Sequence, residues 1–521
     1  MNYSSATLHP LLVDRLIAWF SKKIREYHIP LICSFLVGIL AHMFAFTNKL
    51  VNGDDVFTLF FKGGSYTLGR WGLVLFDNIF PNYSMPWVYG IITIALIAVS
   101  VCILIHVFHI QNKLLQGLLA GLIVAFPSLT GVFSFMFMSC TYSSAFLLTV
   151  LSVYLMNKSP VRYLLPAGIC LILSLSLYQG YIALAASLLV LVLIQQLLEN
   201  TETKAVFRRG IFFLIFLVLS LGIYYMLTQL LLRITGYELN SYANARLSFE
   251  PLSLPSRVLE AYHSFFKLFD EAYNGLIPTV LSRRVHYLCV AAAGILFLLW
   301  LVFQKAKKAG QIFLLLALIA ILPLTINCMY LFATVEAVHT LVLYSFVSVY
   351  MFAAVLAEAS MPLVLNSRAA ALSRRIALEV VTIGMALVIV VNIYIANEAY
   401  LCMYLQYENT YAFYSSVIAE LKATPEFNET TTLAVIGDYQ RPDFYQTKFD
   451  FAYKIFDTTG YHPNSYAQER FLEYFIGLPI PCATDEDIAE ITQSQEYQNM
   501  PTYPYYGSMK MIGNFFVVKL S

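Results

Sequence analysis

Charge is what this chain has least of. Asp, Glu, Lys and Arg make up 12% of its 521 residues against 59% hydrophobic ones, and the mean hydropathy is +0.69. So little polar surface excludes an ordinary soluble globule and leaves a polytopic membrane protein. The net charge of +1 supplies neither a basic face for nucleic acid nor an acidic one for a cationic partner. The eight cysteines show no paired spacing, and Cys33, Cys102, Cys170, Cys289 and Cys328 fall inside apolar runs. That excludes a disulfide framework and leaves packing as their role. There is no P-loop, no dinucleotide glycine motif and no His/Cys set with zinc spacing. The middles of nearly all the apolar runs also lack ionisable residues. A transporter or proton pump needs such groups near the bilayer midplane, so this absence counts against a lipid or polysaccharide flippase.

What is present is length in the apolar runs. Stretches near 29–48, 86–108, 114–134, 139–156, 162–178, 181–198, 210–232, 285–303, 311–331, 338–358 and 376–396 have the length a bilayer core demands, giving about eleven transmembrane helices. Ahead of them, residues 1–28 carry Leu11, Leu12, Leu16, Ile17, Trp19 and Phe20 at helical spacing, followed by Lys22, Lys23 and Arg25. This predicts an interfacial helix rather than a cleaved signal. Every second connection is basic: Lys113, Lys158/Arg162, Lys204/Arg208/Arg209, Lys305/Lys307/Lys308 and Arg368/Arg374/Arg375. By the positive-inside rule the N-terminus is cytoplasmic and, with an odd number of spans, the C-terminus is outside.

The expected fold is therefore a polytopic α-helical membrane domain over 29–396 with external loops at 49–85 and 233–284. Residues 397–521 change composition and follow as a small extracytoplasmic α/β domain. Its cues are an alternating run at 431–438, helical stretches near 465–476 and 484–494, and a closing strand within 513–520. No cytoplasmic segment is large enough to bind a nucleotide sugar, which argues for a lipid-linked donor.

Polar chemistry collects at the outer span ends. Asp54 and Asp55 follow the first span in Asn52-Gly53-Asp54-Asp55, and Gly69-Arg70-Trp71 follows in the same loop. Paired carboxylates at a membrane boundary cost free energy and mark a candidate site, although Asp also serves as a helix cap or turn residue. Tyr178-Gln179, Arg283-Arg284, Glu336 and His339 lie at other outer ends, and Arg257 and His263 lie in the loop 233–284. Glycosyl transfer from a lipid phosphate would use such a set. A carboxylate takes the proton of the acceptor hydroxyl, and cations meet the charge growing on the leaving phosphate. Arg70 and Arg283-Arg284 suit lipid headgroups equally well, and Tyr178-Gln179 suits plain interhelical hydrogen bonding. No metal is assigned and no cofactor is required by the sequence. A divalent cation would find only two acidic ligands at Asp54/Asp55.

At these residues the chain resembles the phage-type glucosyl transferase II family, bacterial enzymes that decorate O-antigen, within the GT-C class of integral-membrane glycosyltransferases. The matching pieces are Asn52-Gly53-Asp54-Asp55, Gly69-Arg70-Trp71, Ala125-Phe126-Pro127, Leu177-Tyr178-Gln179-Gly180-Tyr181 and Met500-Pro501-Thr502-Tyr503-Pro504-Tyr505-Tyr506-Gly507-Ser508. The resemblance implies an inverting hexosyltransferase in the bacterial cytoplasmic membrane. It would move glucose from a polyprenyl-phosphate donor to a surface glycan on the periplasmic side. It gives the base's role to Asp54 or Asp55; Asp54 is the first choice, with Asp55 positioning it or holding a cation. Arg70, Trp71, Tyr178, Gln179, Arg257, His263, Arg283, Arg284, Glu336 and His339 are the expected substrate contacts. An O-antigen polymerase or ligase shares the span count and outer loops, but fits the early Asp pair and the folded tail less well.

Overall fold

Apolar runs bounded by polar residues form helices, because a chain in hydrocarbon must satisfy its backbone hydrogen bonds within each segment. The computed structural model describes residues 12–59, 65–81, 83–240, 254–270, 280–304, 308–333, 338, 340–438 and 466–521. The amphipathic α1 (Leu12–Glu26) buries none of its residues and leaves Leu12, Leu16, Ile17, Trp19 and Phe20 exposed, as expected of a helix lying on a membrane surface. Then come α2 (His28–Thr47), the short α3 (Gly53–Thr58) and α4 (Leu73–Phe76), and α5 (Pro86–Val107). The run predicted at 114–134 is broken into α6 (Lys113–Val124) and α7 (Pro127–Ser134), because Pro127 lacks an amide hydrogen and starts a new helix. α8 (Ser139–Lys158), α9 (Leu164–Leu177), α10 (Tyr181–Leu198) and α11 (Thr203–Thr235) complete the first half.

The second half holds α12 (Leu254–Asp270), α13 (Val280–Phe303), α14 (Ala309–Ile326), a 3-10 turn over Thr340–Phe346 leading into α15 (Val347–Ser360), and α16 (Arg368–Ala423). Among the described residues ten helices, α6–α7 counted together, are long and apolar enough to cross a membrane, and the 14-residue α9 is a shorter apolar helix. Helices pack closely where one supplies a small residue. A Cβ at Gly90 of α5 would lie 2.4 Å from Phe46 of α2, and one at Gly384 of α16 would lie 2.2 Å from the Cys289 Sγ of α13. The outer surface of the bundle is itself apolar: Phe207, Ile211, Leu214 and Val218 of α11 are exposed, which suits lipid rather than water.

Two differences from the sequence reading matter for the site. First, 254–270 within the expected loop 233–284 is helical, and Tyr262 and Asn327 bond it to α14. Second, α16 does not stop at 396. Its 56 residues run unbroken for roughly 84 Å, far beyond a bilayer core of about 30 Å. The predicted boundary at 396–397 therefore falls inside a helix. The end of α16 carries Phe413, Tyr414, Val417 and Leu421 into the core of a three-stranded sheet. β1 (Thr432–Ile436) pairs in parallel with β3 (Phe515–Lys519), and β2 (Met509–Ile512) pairs antiparallel to β3 across the turn at Gly513-Asn514. β2 was not legible as a separate strand. The turn Gln468–Phe471 continues into a π turn over Leu472–Ile476, and α17 (Asp485–Gln493) is capped by Thr484 and Asp487.

Candidate functional site

Asn52 builds the acid pair's position. Its Oδ1 accepts from the backbone N–H of Asp55 at 2.9 Å and caps α3, while its Nδ2 donates to the Ser134 carbonyl at 2.6 Å. α3 is thereby pinned to the end of α7. The two carboxylates point to different surroundings. Asp54 is exposed and accepts a hydrogen bond from the hydroxyl of Tyr466, in the C-terminal part of the chain. Asp55 is buried, its Oδ1 accepts from Ser84 Oγ at 2.5 Å, and among the described residues its buried Oδ2 has no partner. Burial pushes the Asp55 carboxyl up from its ordinary 3.8 to about 7, and the charge of Asp54 adds to the rise. The hydrogen bonds from Ser84 and the Asn52 backbone, and the nearby Lys49, oppose it.

The C-terminal part closes over this segment. Val51 and Val56, on either side of the pair, share one apolar core with Phe471, Leu472 and Val518. Arg470 lies over the Phe57 ring at 5.4 Å, and Lys49 lies over Phe475 at 4.4 Å.

Arg70 is set from the membrane side. Gly69 takes the left-handed conformation (φ 69°), and its carbonyl accepts from the Tyr224 hydroxyl at 2.9 Å. Gln179 donates to Leu68 O and to Tyr224 Oη, both at 3.0 Å, and its Oε1 accepts from Arg70 Nε at 3.4 Å. Arg70 also reaches Tyr142 Oη at 3.3 Å and lies 5.4 Å from the Tyr178 ring. Trp71 Nε1 donates to Thr228 Oγ1 at 3.2 Å. Arg70, Trp71, Tyr178 and Gln179, expected from the sequence, therefore do come together. Tyr178 is buried, however, and the Gln179 amide is engaged within the protein. These two side chains hold the Gly69-Arg70-Trp71 loop in place.

The acid pair and this loop meet the same corner of the bundle. Asn52 holds Ser134 at the end of α7, and Arg70 holds Tyr142 in the first turns of α8.

Of the remaining candidates, the described ones lie on α12 and α13. Arg257 of α12 donates to Leu331 O at 3.3 Å, and His263 lies 3.8 Å from Glu260. Arg283 and Arg284 open α13, Arg284 being exposed. Glu336 and His339 lie outside the described residues. α12, α13, α14 and α15 enclose a groove of about 1120 Å³, mostly apolar, with His263 and Lys267 among its lining residues. It is tied to the acid pair through packed elements. Ser128 of α7 donates to Thr340 O at 2.6 Å, and Phe346, at the end of that turn, stacks on Phe265 of α12 at 5.1 Å.

Sequence reasoning missed Ser84, Tyr142, Tyr224 and Tyr466. Tyr142 and Tyr224 read as ordinary span aromatics, and Tyr466 is more than four hundred positions from its partner. Ser84 had a faint signal, a lone hydroxyl two residues before the proline that opens α5. Among the described residues no group of three or more His, Cys, Asp or Glu side chains gathers as a metal site.

No curated protein and no solved structure matches the chain. The sequence model of one family, Glucosyl transferase GtrII, matches residues 43–357, which take in the acid pair, Gly69-Arg70-Trp71, Tyr178-Gln179 and the groove, and the chain belongs to that family.

Proposed function

We propose that this protein is a GT-C-type, inverting glucosyltransferase of the bacterial cytoplasmic membrane. It takes glucose from a polyprenyl-phosphate donor and passes it to a surface glycan, such as O-antigen, on the periplasmic side. Family membership carries the glucosyl transfer. The observation that carries the mechanism is the buried Asp55, with one oxygen held by Ser84, the other unpartnered among the described residues, and an affinity for protons balanced near neutrality. A general base works best when its pKa is near the working pH. The proposal therefore gives that role to Asp55 rather than to Asp54, the choice the sequence suggested. Asp54, solvated and held by Tyr466, sits at the rim and fixes the C-terminal part against the site.

In the proposed reaction Asp55 accepts the proton of the acceptor hydroxyl as that oxygen attacks the anomeric carbon of glucose from the face opposite the phosphate. The bond to the phosphate oxygen breaks, and the lipid phosphate leaves with the electron pair. Arg70, held by Gln179, Tyr142 and Tyr178, meets the growing charge. The apolar groove beside α12 receives the polyprenyl chain, with His263 and Lys267 near its headgroup. Two carboxylates already bonded to Ser84 and Tyr466 offer a sparse donor set for a hard cation, which takes six or more oxygens, so the mechanism uses none.

The test offers purified protein either polyprenyl-phosphate glucose or a nucleotide glucose, with a glycan acceptor. Transfer from the lipid donor alone is the expected result. Transfer from the nucleotide sugar alone would refute the donor assignment.

A further inference from the structure

The end of the bundle away from Asp54 and Asp55 carries a second built feature. Two adjoining hollows of about 540 and 400 Å³ share Gln196, Thr201 and Arg209 as lining residues. They lie beside the last turn of α8, about 24 Å along that helix from Tyr142 and the Arg70 loop. Arg209 stands between them. Its Nη2 donates to the Asn157 carbonyl at 3.0 Å, and Gln196 donates to the Asn157 side chain at 3.2 Å, so the guanidinium is fixed at the floor with further N–H groups to give. Lys158 lines one hollow and Arg208 the other. Two carboxylates flank the hollows: Glu199 lies 3.0 Å from His109 and accepts from Gln195, and Glu202 is exposed at the start of α11. The three cations Lys158, Arg208 and Arg209 outnumber them, so the hollows keep net positive charge.

The walls continue into an apolar surface. Phe212 lines the larger hollow, and Phe207, Ile211 and Leu214 of the same helix are exposed. A cationic floor opening onto exposed apolar helix fits an amphiphile with an anionic head, whereas a free anion would use the floor and leave the apolar wall bare.

We infer that the double hollow around Arg209 binds the headgroup of an anionic phospholipid, such as phosphatidylglycerol, with its acyl chains lying along α11. In the orientation read from the basic connections this is the cytoplasmic leaflet. Basic pockets between helices on that side are suited to phosphate headgroups, the Arg fork giving directed hydrogen bonds and Lys a point charge. The site involves none of the residues assigned to transfer.

The test is a lipid titration of the purified full-length chain, read by native mass spectrometry. It compares phosphatidylglycerol, phosphatidylcholine and inorganic phosphate for the wild type, for Arg209→Gln and for Lys158→Gln combined with Arg208→Gln. The double variant changes only exposed side chains, and equal melting temperatures would exclude misfolding as a cause. Phosphatidylglycerol is expected to bind in preference to phosphatidylcholine, and each charge removed should weaken it roughly fivefold without changing phosphatidylcholine binding. Equal binding of the two lipids, or unchanged phosphatidylglycerol binding in both variants, would overturn the site. Inorganic phosphate binding as tightly as the lipid would overturn the lipid assignment.

Discussion

Asp54 and Asp55 are chain neighbours with different chemistry, and the difference lies in what each side chain meets. α3 turns Asp55 inward to Ser84 and leaves Asp54 facing Tyr466. Because burial raises the Asp55 pKa from 3.8 to about 7, the folded state holds a proton there that the unfolded chain releases. Stability from this group is then complete below pH 3.8 and is lost as pH rises to about 7. Asp55→Asn, which keeps the shape and cannot ionise, should melt at a higher temperature than wild type above neutrality, and the gap should close in acid. Thermal unfolding in detergent across that range checks the sign; a wild type that gains stability from acid to neutral pH relative to the variant would oppose it. Gly69→Ala would force a Cβ into the left-handed region, 3.0 Å from Tyr224 Oη. It should cost about 1–2 kcal/mol and weaken the hold on Arg70, seen as a lower melting temperature together with slower transfer.

At the scale of elements, the apolar runs read well because the bilayer fixes their length. The run expected at 181–198 matches α10 residue for residue. What could not be read was where helices continue or break for reasons outside hydropathy. α16 runs on past its apolar stretch because Phe413, Tyr414, Val417 and Leu421 find a second core, a partner the local sequence does not announce. α12 looked like a loop because it is amphipathic and its apolar face is needed only once α14 lies beside it. For the site, Arg70 and Gln179 were legible as residues but not as a bonded pair, since 109 positions separate them. Close packing supplies the prediction at this scale. Gly90→Val should overpack α2 against α5 at Phe46 and destabilise the bundle by about 1–3 kcal/mol, measured by denaturation of the purified protein.

For the molecule as a whole, the acid pair lies where the membrane bundle meets the C-terminal sheet. Val51 and Val56 belong to the sheet's core although they border a segment of the bundle. Damage to that core should therefore reach the site. Phe471→Ala, at a fully buried ring in the sheet's core, should cost about 3–5 kcal/mol and lower transfer. Tyr466→Phe should leave folding intact and lower transfer less than loss of either Asp, because it removes the hydroxyl bond to Asp54 and keeps both carboxylates. Unchanged transfer in Phe471→Ala would separate the sheet from the chemistry.

The most direct test of the central claim is the rate of glucose transfer from polyprenyl-phosphate glucose as a function of pH, for wild type, Asp54→Asn and Asp55→Asn. The account predicts a wild-type rate that rises through about pH 7 as Asp55 ionises. It predicts a loss of roughly 10²–10⁴-fold in Asp55→Asn with donor binding kept, and a smaller loss in Asp54→Asn. An Asp55→Asn protein that transfers glucose at the wild-type rate, with the same pH profile, would contradict it.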